Sequence, residues 1–230
     1  MSDGELNGFR LPRPDQRVMV NGRTGSGKSV FGAWLLSTAP LNRMPYIIVD
    51  YKRDKLLQGI DRAQDLALSD KLPTGPGLYR VTPLHSEPEA VEEWLWRVWA
   101  RGRTGLFIDE GYMIPDGRKN SALQTLFTQG RALSIPVIIL SQRPAWLNRF
   151  CFSECDYYCC FHLNDVRDQL TVRGFTPHND VWDMTRRLPE HHSRWYDIGR
   201  DYSAVLGPAP SPDQILDRFD AILKPRQRWL

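Results

Sequence analysis

No apolar run in this chain approaches the ~18 residues that a membrane-spanning helix needs, so an anchoring span of that kind is not expected. Cysteine is scarce and confined to positions 151, 155, 159 and 160, with His162 just beyond. No second pair stands elsewhere at metal-ligand spacing, and adjacent Cys159 and Cys160 on a strand would point to opposite faces. The cluster therefore reads as buried reduced thiols of an intracellular protein, not as a zinc site or a disulfide framework. A strong charge of one sign is also missing. Thirty Lys+Arg against 27 Asp+Glu leave a formal +3, which permits contact with nucleic acid without arguing for it. No internal repeat suggests a solenoid. Residues 1–14 are polar and acidic, with Pro12 and Pro14 near their end, and lack the apolar centre of a signal peptide.

What the chain does have is enough length for one α/β domain, 230 residues with 41% hydrophobic, and a dense phosphate-binding signal. Residues 22–29 read Gly-Arg-Thr-Gly-Ser-Gly-Lys-Ser, a full G-x-x-x-x-G-K-[ST] loop, or Walker A motif. Apolar Val18, Met19 and Val20 precede it, and the apolar helical run 30–36 follows. The loop must curl until successive N–H groups face one phosphate, and glycine allows that curl because it lacks a Cβ. The positive end of the following helix adds to the attraction. The cradle is expected from Gly22, Arg23, Thr24, Gly25, Ser26, Gly27, Lys28 and Ser29. Lys28 would reach the β/γ-phosphates of ATP and Ser29 would ligate Mg²⁺.

The rest of the chain alternates strand and helix. Residues 17–21 and 46–50 read as buried parallel strands, the second ending in Asp50 and leading to the charged connection Tyr51, Lys52, Arg53, Asp54 and Lys55. Segment 56–76 has no clear pattern, and 78–81 is a candidate strand. Ser86 and Glu89 form the signature of a capping box for a helix whose Val91, Leu95 and Val98 face the core, with Trp94, Trp96 and Trp99 packed around it. Residues 105–110, Gly-Leu-Phe-Ile-Asp-Glu, read as a central strand that delivers two acids at its carboxyl end, where open α/β sheets bind ligands. Asp109 is assigned to the Mg²⁺ shell and Glu110 to polarising the attacking water. An acid directly after the metal-binding acid argues for hydrolysis.

Further on, a loop with Arg118 and Lys119 leads to a helix over 120–133, then to a strand over 136–142. That strand ends in Ser141 and Gln142. Gln142 either senses the γ-phosphate or catalytic water, or caps the turn before Pro144. A strand over 157–162 and a helix over 164–173 with Val166 and Leu170 along one side follow, then a hairpin within 193–206. Pro208, Pro210 and Pro212 mark a stiff linker to a helix over 213–223 and a basic end. The expected organisation is a flexible segment 1–14, an ATPase domain 15–207 and an extension 208–230. The expected fold is α/β, a mostly parallel sheet flanked by helices.

Together the loop 22–29, the strand 106–110 and above all 130–144, Gly-Arg-Ala-Leu-Ser-Ile-Pro-Val-Ile-Ile-Leu-Ser-Gln-Arg-Pro, resemble the FtsK/HerA superfamily of DNA-translocating P-loop ATPases. Asp50-Tyr51-Lys52 is similar to the Asp-Pro-Lys of that superfamily, with Tyr51 departing from it. Within the superfamily the compact chain looks most like the genome-packaging ATPases of tailless, membrane-containing phages and related viruses. The resemblance implies an ATP-driven motor that moves double-stranded DNA into a preformed capsid. It also implies a ring of five or six subunits, docking to portal or vertex proteins, and a place in the host cytoplasm or at the virion vertex. It makes Gln142 the sensor and Arg131 the finger that enters a neighbour's site, with Arg143 as the rival finger. Basic residues for DNA are sought among Arg118, Lys119, Lys52, Arg53 and Lys55. The competing readings are an ATPase for plasmid or phage DNA transfer or virion assembly, and a slow NTP-dependent binding switch.

Overall fold

A computed structural model of the chain describes residues 9–115, 120–176 and 187–224. Its frame is a nine-stranded sheet ordered β3-β4-β2-β5-β6-β1-β7-β8-β9. The strands are β1 (Arg17–Asn21), β2 (Pro45–Asp50), β3 (Gln64–Leu66), β4 (Gly77–Val81), β5 (Gly105–Asp109), β6 (Val137–Ser141), β7 (Tyr157–Cys160), β8 (Ser193–Asp197) and β9 (Tyr202–Leu206). Pairing is parallel from β3 through to β7 and antiparallel for β7–β8 and β8–β9. The mostly parallel sheet is the one expected from the sequence.

The short apolar runs become central strands because both sheet faces are covered. Their side chains alternate between two cores. Met19, Ile47, Val49, Leu106, Ile108, Val137 and Ile139 enter one core. Val18, Val20, Tyr46, Ile48, Phe107, Ile138 and Leu140 enter the other. On the first face lie α3 (Pro88–Arg101), α4 (Ala122–Gln129) and α5 (Phe150–Ser153), with Trp94, Leu95, Phe127 and Phe152 buried. On the second lie α1 (Lys28–Ser37) and α7 (Pro212–Leu223), through Phe31, Leu35, Ile215 and Phe219. Each such side chain contributes about 1.5–3 kcal/mol by leaving water. Helix α2 (Lys55–Gln58) is a single turn after β2, and α6 (Val166–Phe175) follows β7.

Several local expectations change. The Ser86–Glu89 capping box does not form, since α3 begins at Pro88 after Glu87, whose φ of −122° and ψ of 49° are not helical. The ring of Pro88 disfavours helical geometry in the residue before it, and proline itself suits the first helical position. Helix α4 is shorter than 120–133, because the chain turns at 130–134 and Ser134 takes a φ of 55°. In α6, Val166 and Leu170 are exposed, at 65% and 59%. The buried face carries Asp168 and Val172 instead, because the Asp168 carboxylate accepts a hydrogen bond from the Ala145 N–H at 2.9 Å. Polar contacts rather than apolar spacing orient that helix. Strand β3 lies in the unpatterned segment 56–76, and its three residues (two exposed, one half-buried) carry no apolar run to reveal it.

The C-terminal helix α7 is tied down as well as packed. Ser211 and Gln214 form a reciprocal capping box, Arg62 pairs with Asp220 at 3.1 Å, and Arg218 donates to the Ser37 carbonyl at 3.2 Å. The four cysteines are buried and form no disulfide. Arg118, Lys119, Arg226 and Arg228 lie outside the described residues.

Candidate active site

The carboxyl ends of β1, β6, β5 and β2 lie side by side, and four functional segments leave the sheet there. Because β6 stands between β1 and β5, the residue after β6 is held between the phosphate loop and the acids. The loop 22–29 follows β1, anchored by the Gly22 N–H on the Ser141 carbonyl (3.2 Å) and the Arg23 N–H on the His162 carbonyl (2.9 Å). A Cβ at Gly22 would lie 2.5 Å from the Ser26 hydroxyl oxygen and 2.7 Å from Phe161 Cβ, so nothing larger than glycine fits the curl. Gly27 enters α1 with φ 94°, which is cheap for glycine alone.

Glu110 leaves β5 in the left-handed region, φ 57° and ψ 61°. A non-glycine residue there carries strain of about 1–3 kcal/mol. The turn breaks strand alternation, so two consecutive acids meet the same cation. Lys28 Nζ donates to Glu110 Oε1 at 2.9 Å and lies 3.9 Å from Asp109 Oδ1. Lys52 Nζ also bonds Glu110 Oε1. The Gln142 N–H donates to Glu110 Oε2 at 3.2 Å. The Gln142 side chain accepts from Thr24 Oγ1 at 2.6 Å and donates to the Tyr112 hydroxyl at 2.9 Å. Ser141, not Gln142, holds the turn before Pro144, accepting from the Arg143 N–H at 3.0 Å.

The two acids differ sharply. Burial opposes ionisation of both. For Glu110 the charge of Lys28 and the hydrogen bonds from Lys52 and Lys28 win, and its carboxyl is held below the usual range. For Asp109 burial wins over Lys28, and its carboxyl is pushed up to about 6. Both Asp109 side-chain oxygens are buried with no hydrogen-bond partner. An acceptor-only carboxylate left bare in this way suits a hard divalent cation, and the half-buried Ser29 hydroxyl belongs to the adjoining cleft.

That cleft has a volume of about 510 Å³. Lys28, Ser29, Lys52, Glu110 and Gln142 line it together with His191 and residues 208–212. The residues read from the sequence as nucleotide-binding, metal-binding or catalytic lie in or beside this cleft, apart from the two arginines proposed as fingers. Arg131 sits at the opposite, amino edge of the sheet, where it pairs with Asp156 at 2.9 Å and Asp15 at 3.9 Å. Five-residue β6 alone spans ~17 Å between the two edges. Arg143 is engaged by Asp165 (3.3 Å) and Asp168 (3.1 Å) and lies 4.6 Å over the Trp146 ring.

Lys52, sought among DNA contacts, lines the cleft and pairs with Glu110, and Arg53 and Lys55 are exposed beside it in the chain. Its place on Glu110 was not legible because it depends on β2 lying beside β5, with Asp50 opposite Asp109. Tyr112, His191 and residues 208–212 were also missed, having no motif to mark them.

A glycine-curled loop between a buried strand and a helix, facing two acids across an intervening strand, defines a P-loop NTPase of the parallel α/β kind. Comparison with known proteins makes this specific. The chain is 40% identical to the DNA packaging ATPase P9 of Enterobacteria phage PRD1 over 227 residues, covering 95% of this chain and 98% of P9. It belongs to that family of packaging ATPases. No protein-family model matches it. Among solved structures, the genome packaging NTPase B204 of Sulfolobus turreted icosahedral virus 2, in complex with sulfate, superposes with a TM-score of 0.71 at 19% identity, covering 87% of this chain and all of B204. The same NTPase in complex with ATP-gammaS gives 0.67 at 20% identity over 86% of this chain and all of B204. VirB4 of Thermoanaerobacter pseudethanolicus gives 0.65 at 12% identity, covering 87% and 91% of the two chains. These structures share the fold.

Proposed function

We propose that the chain is the ATP-hydrolysing motor that packages viral double-stranded DNA into a preformed capsid. The observation that carries this is the convergence of Lys28, Glu110 and Gln142 in one cleft of a chain 40% identical to a DNA packaging ATPase. In this reading ATP enters with its phosphates on the N–H groups of 22–29 and on Lys28, and the helix α1 terminus supports the negative charge. Ser29 and Asp109 hold Mg²⁺, which when bound offsets phosphate charge. Glu110, released from Lys28, polarises the water that attacks the γ-phosphate. Gln142 lies between Glu110 and Thr24 of the loop, where a change at the γ-phosphate reaches Tyr112 through a single hydrogen bond.

The subunits form a ring in which Arg131 of one copy meets the γ-phosphate held by the next. Its position at the sheet edge away from its own cleft suits a role across an interface and not one within the chain. DNA is gripped by basic loops, with Arg53, Lys55, Arg118 and Lys119 as the residues to replace first. The motor works at the capsid vertex, reached from the host cytoplasm. The test is ATP turnover by the purified chain with and without duplex DNA and capsids. Stimulation by DNA, abolished in Lys28→Ala, is expected. Turnover indifferent to DNA, even with capsids present, would overturn the motor reading.

A further inference from the structure

The contact between Lys52 and Glu110 has no role in the reading above. Glu110 is fully buried, and both its oxygens are occupied: Oε1 by Lys28 and Lys52, Oε2 by the Gln142 N–H. The two ammonium groups on Oε1 hold the carboxylate's charge and make it a poor base for a water. Two ammonium groups on one oxygen can be no farther apart than two hydrogen bonds end to end, so any anion that draws Lys28 lies within reach of Lys52. The side chain of Lys52 is 36% exposed and lines the cleft, whereas Lys28 is 5% exposed. A flexible four-carbon stem at the cleft wall can follow a ligand.

Direction matters. Lys28 approaches Glu110 from the loop after β1, while Lys52 approaches from the end of β2, on the far side of β5. A phosphate chain seated on the loop therefore meets Lys28 first and Lys52 at its distal end. Before nucleotide binds, Lys28 and Lys52 balance Asp109 and Glu110. A triphosphate carries charge enough to attract both cations, while a diphosphate stops short of the second.

We propose that Lys52 is a substrate-contacting residue that recognises the γ-phosphate, and that without it Lys52 holds Glu110 idle. The site then distinguishes ATP from ADP by whether Lys52 is drawn off Glu110. This rests on the chain being an ATP-hydrolysing enzyme, and binding measurements separate the two. Equilibrium binding of ADP and of the non-hydrolysable AMPPCP is measured for wild type, Lys52→Met, Lys52→Arg and the neighbouring Arg53→Met. A charge-assisted hydrogen bond lost from the triphosphate predicts that Lys52→Met weakens AMPPCP by about 10-fold or more. ADP affinity is expected to stay within about twofold, since its phosphates end short of Lys52, and retained ADP binding also reports a folded loop. Lys52→Arg keeps part of the preference and Arg53→Met keeps all of it. Equal weakening of both ligands by Lys52→Met, or no weakening of either, would overturn the role of Lys52. Failure of the wild-type chain to bind any nucleotide would overturn the ATPase reading itself.

Discussion

The two edges of the sheet carry the same kinds of side chain and treat them in opposite ways. At the amino edge buried Arg17 donates to the Phe127 carbonyl and forms an ion pair with Asp156, which also takes Arg131, so its charge is paired although its Nε makes no hydrogen bond. At the carboxyl edge Asp109 is buried with neither oxygen hydrogen-bonded, and Glu110 sits in a strained backbone conformation between two lysines. The first arrangement is what stability favours, because a buried charge without partners costs several kcal/mol. The second persists at that cost and is supplied with room for a ligand. The bare acid lies on the edge that faces the cleft. Arg131, half exposed at the other edge, is available to a neighbouring molecule.

Replacing residues on each edge should sharpen or break this contrast. The largest effect is expected from Glu110→Gln. ATP should still bind, while steady-state turnover falls by about 10²–10⁴. Normal turnover would remove Glu110 from the chemistry. Arg131→Ala is expected to lower turnover of the assembled protein by about 10³. Thermal unfolding of the same variant should change by less than about 1 kcal/mol, since its ion pairs are solvent-screened. A stability loss without loss of turnover would return Arg131 to a structural role.

Asp109→Asn is expected to slow hydrolysis less than Glu110→Gln does, yet to stabilise the nucleotide-free chain. The folded carboxyl titrates at about 6 against an ordinary 3.8, so the folded state binds the proton more tightly over that interval. Wild-type stability then falls as pH rises from about 4 to about 6, and stays lower above. The variant should be about 2–3 kcal/mol more stable near neutral pH and not at about pH 4. Denaturant unfolding at the two pH values measures this, and equal stability at neutral pH would contradict the unsatisfied-acid account. The smallest effect is expected from Ser211→Ala, a loss of about 1 kcal/mol of stability from the cap of α7.

Much of the catalytic edge was legible in the sequence. Its strands are short apolar runs that end in the candidate site residues, so the order of elements and the placement of Lys28, Asp109, Glu110 and Gln142 could be read directly. What escaped was whatever depends on which strands are neighbours. Lys52 reads as one basic residue among several until β2 is paired with β5. The left-handed turn at Glu110 and the inward Asp168 of α6 leave no periodic trace either. Local rules failed where a neighbour overrode them, as Pro88 did for the Ser86 cap.

The claim that the two edges meet between subunits has one direct measurement. Chains carrying Arg131→Ala and chains carrying Lys28→Ala, each inactive alone, are mixed and assayed for DNA-stimulated ATP turnover. An interface that joins an intact loop from one chain to an intact Arg131 from the other is expected to restore part of the activity. No recovery, with co-assembly demonstrated, would contradict the account.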